Sequence, residues 1–87
     1  MHHKFDNMRP ETEFGNWLYS KMVENDLTCT DVAEKLHVSK QTIAYHTNGK
    51  VCPNYPFVLA YNTIFGDDVD EVWNMVLRDE KRRKESR

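Results

Sequence analysis

The chain has 87 residues, a formal net charge of -2 and 39% hydrophobic residues, enough for one domain and too little for a catalytic barrel, a dinucleotide fold or a separate sensor domain. The charge excludes a protein that coats nucleic acid through a global positive field, though not one with a local basic face. With 11% aromatic residues the composition is not that of a disordered chain.

Residues 1–10, ending at Pro10, show no periodicity and are expected to form a flexible N-terminal arm. From Glu11 the spacing of Phe14, Trp17, Leu18 and Met22 predicts a helix. Thr12 is its N-cap, and it stops near Asn25-Asp26. Thr28, with Asp31 three residues on, outlines a capping box before the short apolar face of Val32, Ala33 and Leu36. His37-Val38 interrupts the run. Ser39 caps a third helix that ends at Asn48-Gly49, where glycine suits a left-handed turn. Asn54 caps a fourth, with Pro56 tolerable in its first turn and Gly66 closing it; Tyr55, Val58, Leu59, Tyr61 and Phe65 supply apolar surface. Asp68 and Glu71 mark the fifth start, and Val69, Val72, Trp73, Val76 and Leu77 its apolar stripe. Beyond Leu77 the charged run has no apolar face and is expected to fray or to form a charged extension over 78–87. The domain proper is thus expected over residues 11–77.

Charge is placed unevenly. Lys35, Lys40 and Lys50 outweigh Asp31 and Glu34 in the middle of the chain. Asp67, Asp68, Asp70 and Glu71 make the start of the fifth helix acidic, and Arg78, Lys81, Arg82, Arg83, Lys84 and Arg87 make the tail basic. No apolar stretch approaches the roughly 18–20 residues of a membrane helix, so no membrane association is expected. Cys29 and Cys52 stand alone, as reduced thiols in a cytoplasmic protein do. With His37 and His46 they show no paired metal-ligand spacing, so neither a metal site nor another cofactor is expected. A core this small offers little pocket for a catalytic Cys-His pair, and no enzyme is expected.

Two short helices joined by three or four residues outline a helix-turn-helix. Ala33 is small where the helices cross, His37 occupies the turn, and Val38 and Ile43 anchor the second helix. Residues 27–53, LTCTDVAEKLHVSKQTIAYHTNGKVCP, resemble the lambda repressor-like helix-turn-helix family (the Cro and XRE type). The resemblance rests on A-x-x-L-x-V-S-x-x-T-I followed by N-G-K-x-x-P, and with the five-helix layout it covers roughly residues 12–77. The sequence departs from the family pattern in four places. Cys29 replaces a phosphate-contacting glutamine, His37 the turn glycine, His46-Thr47 an aromatic-glutamate pair, and Met22 a frequent arginine.

The resemblance implies an all-α, compact five-helix DNA-binding domain with its helix-turn-helix at about residues 28–48. It implies base reading by Ser39, Lys40, Gln41 and Thr42, with Ala44 and Tyr45 one turn on, and phosphate contacts from Thr28, Thr30, Asn48 and Lys50. Lysine suits guanine and glutamine suits adenine. The implied function is a sequence-specific transcriptional repressor of the small phage or prophage type. It would bind double-stranded operator DNA, an inverted repeat, as a homodimer in the cytoplasm of a bacterial cell. Trp73 and Leu77 are candidates for the dimer face. The alternative is a protein-interaction module of the same fold, antitoxin- or antirepressor-like, with DNA binding weak or lost.

Overall fold

The computed structural model describes residues 10–85; residues 1–9, most of the expected N-terminal arm, lie outside it, as do residues 86–87. Five helices follow one another: α1 (Glu13–Glu24), α2 (Cys29–Leu36), α3 (Lys40–Asn48), α4 (Tyr55–Phe65) and α5 (Val69–Glu85). The fold is all-helical and compact, with no strand among the described residues.

Polar side chains set the helix starts. Thr12, Thr28, Ser39 and Asn54 each accept a backbone N–H three residues on, from Gly15, Asp31, Thr42 and Phe57. Each bond satisfies a donor that the first turn leaves without a helical partner. At Thr28 the capping box is complete, because the Asp31 carboxylate accepts the Thr28 N–H at 2.9 Å. Asp68 accepts the Asp70 N–H at 2.9 Å ahead of α5. Left-handed residues close the helices: His37 (φ 58°) after α2, Gly49 (φ 81°) after α3 and Gly66 (φ 78°) after α4. His37 holds this conformation through its own N–H and that of Val38, both of which reach back to α2 carbonyls.

The core is one cluster. Phe14, Leu18 and Met22 of α1 meet Val32 and Ala33 of α2, Ile43 of α3, Val58 and Tyr61 of α4, and Val72 and Val76 of α5. Each large side chain among them contributes about 1.5–3 kcal/mol by leaving water. α3 packs on α2 and on α1, while α5 packs on α1 and α4. The α1–α3 crossing is close at Gly15: a Cβ there would overlap the Thr47 carbonyl oxygen and crowd the Thr12 hydroxyl.

Of the two outcomes expected beyond Leu77, a frayed end and a charged extension, α5 shows the second and runs to Glu85. Its charged turns are held by other helices instead of by an apolar face. Asp79, only 5% exposed, accepts the backbone N–H groups of Glu13 and Phe14, each at 2.9 Å. Arg78 and Arg82 pair with Glu13, and Arg82 also reaches Asp79. One expectation needs correction: Leu59, expected on the apolar face of its helix, remains 43% exposed, because its side of α4 faces away from the cluster. Leu77, a candidate for the dimer face, is 45% exposed.

Glycine-to-alanine substitution in an open helix stabilises by roughly 0.5–1 kcal/mol. At Gly15 the sign is expected to reverse, with Gly15→Ala losing about 1–3 kcal/mol to overpacking against Thr47. Asp79→Ala is expected to lose about 2–4 kcal/mol, since it strands one buried and one part-buried donor of α1. Urea unfolding of both variants checks these; a stabilised Gly15→Ala protein would contradict the close crossing.

Candidate nucleic-acid interface

α3 presents two unlike faces. Ile43, His46 and Thr47 point into the protein and are buried. Ser39, Lys40 and Gln41, on the cap and first turn, are exposed. Thr42 and Tyr45 are half-buried. Ala44 is half-buried too and packs against the core cluster, so only part of its methyl is presented outward.

The exposed side chains are partly organised by one another. The Ser39 and Thr42 hydroxyls lie 2.8 Å apart. One turn along, Gln41 Nε2 donates to Tyr45 Oη at 2.6 Å, the i, i+4 spacing at which helical side chains meet. Lys50 Nζ stands 5.6 Å from the centre of the Tyr45 ring, within cation–π range. Gln41, Tyr45 and Lys50 thus form a continuous row down one side of α3. Because an amide nitrogen carries two hydrogens, the bond to Tyr45 leaves Gln41 equipped to donate and accept elsewhere.

The positions expected to meet phosphates lie at helix ends. Thr28 and Thr30 are at the start of α2, Asn48 ends α3, and Lys50 follows its Gly49 cap. Thr30 and Lys50 are exposed, while Thr28 and Asn48 are half-buried. The Thr28 hydroxyl accepts the Asp31 N–H at 3.2 Å and donates to the Asp31 carboxylate at 3.0 Å. Its donors therefore serve the capping box first. Cys29 is buried, and burial raises its thiol pKa. Met22 is wholly buried.

Two features that the motif does not reveal fix how α3 stands. His46, 4% exposed, places Nδ1 2.7 Å from the phenol oxygen of Tyr61, which is fully buried on α4. The Phe57 ring meets the imidazole edge-on at 4.8 Å. Burial lowers the His46 pKa to about 4 and raises that of Tyr61, so near neutrality this is a bond between two uncharged groups. At the far end of α3, Arg83 of α5 donates to the Lys50 carbonyl at 3.1 Å and to that of Gly49. In the sequence Arg83 is one basic residue in a run of four, and nothing local marks it. Among the described residues no group of three or more His, Cys, Asp or Glu side chains is placed to hold a metal ion. No helix among them is long and apolar enough to cross a membrane.

Comparison with protein-family models, with curated proteins and with solved structures returned no match.

The His46 environment has a consequence for pH. The unfolded chain takes up a proton at this imidazole near pH 6.5, whereas the folded chain resists until about pH 4. Stability from this group is thus intact above pH 6.5 and declines as pH falls toward 4, by up to about 3 kcal/mol. Urea unfolding at pH 7 and pH 5 is expected to show the decline, and His46→Gln, which retains a partner for Tyr61, to reduce it. Equal pH dependence in the two proteins would overturn the assignment.

Proposed function

We propose that the chain is a sequence-specific double-stranded DNA-binding regulator with a lambda repressor-like fold, in which α2 and α3 form a helix-turn-helix and α3 reads the major groove. The observation that carries this is the division of α3. Its body is anchored through Ile43, His46 and Thr47, while its first turn offers Lys40 and Gln41 to solvent. A helix whose N-terminal side chains contact base edges needs this arrangement. Lys40 would donate to guanine and Gln41 would pair with adenine. Ser39 and Thr42 flank them, and Tyr45 and the exposed part of Ala44 extend the reading surface one turn on. Thr28, Thr30, Asn48 and Lys50 would hold the sugar–phosphate backbone on either side. The motif of residues 27–53 supports the same reading.

Regulation would be repression by occupancy of an operator, in the manner of a small phage or prophage regulator. A homodimer would bring two α3 helices to successive major grooves of an inverted repeat, about 34 Å apart. Tyr55, Leu59 and Leu77, exposed on α4 and α5, give such a dimer apolar surface to cover. Trp73, edge-on to Tyr55 at 5.3 Å, backs that surface.

Selection of bound duplexes from a random-sequence pool is expected to return a preferred site. Lys40→Ala with Gln41→Ala is then expected to lose on the order of 2–5 kcal/mol of affinity for it, while unfolding like the parent. A double variant that retains specific binding would refute the assignment of α3. A parent protein that binds no duplex even at low salt would point instead to a protein-interaction module.

A further inference from the structure

The last turns of α5 have no apolar reason to be helical, yet they end against α3. Arg83 spans the gap by donating to the Gly49 and Lys50 carbonyls. These carbonyls lie at the negative end of the α3 dipole, where a guanidinium is favoured. The contact sets Arg83 against the Lys50 backbone, and Lys84 is its chain neighbour on the same last turn of α5. Lys50, Arg83 and Lys84 are all exposed. A guanidinium carries five N–H donors in a fixed fork, and these two carbonyls take two of them. The acidic groups nearby are partly committed inward: Asp79 holds the α1 N-terminus and Arg82, and Glu13 holds Arg78 and Arg82. Glu80 is half-buried, leaving Glu11 and Glu85 as exposed carboxylates of the adjoining segments.

We propose that the last turn of α5 is a phosphate-gripping element. Arg83 and Lys84 continue the positive edge that Lys50 begins, and their ligand is the sugar–phosphate backbone of a DNA duplex, flanking the steps read by α3. This rests on the reading of α3 as the base-contacting helix and adds to it a contact from a different part of the chain. Arg83 then has two roles. It closes the carbonyl end of α3, and it fixes the position of the backbone relative to the reading helix. Such contacts strengthen binding without selecting sequence.

The test is the salt dependence of binding to two duplexes, one selected from a random pool by the parent protein and one of scrambled sequence. Each Lys or Arg released from a phosphate lowers the slope of log affinity against log salt by about 0.9. Lys84→Gln is expected to lower the slope by about that much on both duplexes. Arg83→Gln with Lys84→Gln should lower it by about twice as much. Arg83→Lys, which retains charge but not the fork, is expected to keep the slope near that of the parent. Lys21→Gln is the control, since it removes equal charge from α1 where Lys21 pairs with Asp67 at 3.1 Å; its slope should not change. Thermal unfolding identifies any variant whose fold is lost, and Lys84→Gln, at an exposed position, gives the reading independent of Arg83. Parent-like slopes for Lys84→Gln and the double variant, with duplex binding retained, would overturn the proposal. A parent protein that captures neither duplex at low salt would overturn the functional reading first.

Discussion

The first turn of α1 is the junction on which the other helices depend. A helix start exposes backbone N–H groups that must find acceptors, and here these come from two sources far apart in sequence. Thr12 supplies one from the preceding residue, and Asp79 supplies a carboxylate from α5. The same turn lies so close to α3 that residue 15 has no space for a side chain. α1, α3 and α5 are therefore joined through backbone groups as well as through the apolar cluster. The angle of α3 is set by this junction, and Tyr61 pins its middle through His46.

The charges follow the same logic. The net charge of -2 says little about any one face, because several carboxylates are used internally. Glu13 is bridged by Arg78 and Arg82, whose hydrogen bonds hold its pKa at about 2. Asp67 accepts the indole N–H of Trp17 at 2.7 Å and pairs with Lys21, and both lower its pKa. Exposed pairs of this kind add little stability each. They matter more for where the field is left uncancelled, and Lys40 and Lys50 of the α3 side are exposed.

Much of the fold was legible in the sequence. Thr12, Thr28, Ser39 and Asn54 named the helix starts, and His37, Gly49 and Gly66 the ends, because caps depend on side chains a few residues apart. The exposed first turn of α3 was legible for the same reason. Contacts between distant segments were not. Gly15 reads as a weak helix residue until α3 is laid across it. Asp79 reads as part of a charged tail, although it continues the Val72–Val76 stripe one turn further and so lies on the inward side. Whether the charged run past Leu77 frays or extends α5 was not legible, because no apolar stripe continues there and these turns are held by ionic and backbone bonds to α1. Arg83 had no local signal, since its acceptors lie more than 30 residues away.

The row formed by Gln41, Tyr45 and Lys50 bears on the rate at which any complex would come apart. Long polar side chains lose rotamer freedom when they are ordered, on the order of 0.5–1.5 kcal/mol each at an interface. In this row part of that ordering is already done within the free protein, by an amide on a phenol and an ammonium near its ring. A ligand that accepts the row as it stands gives up less entropy on docking, and the difference between related complexes lies mostly in their dissociation. A ligand that accepts this row as it stands would stay longer than one that must part Gln41 from Tyr45.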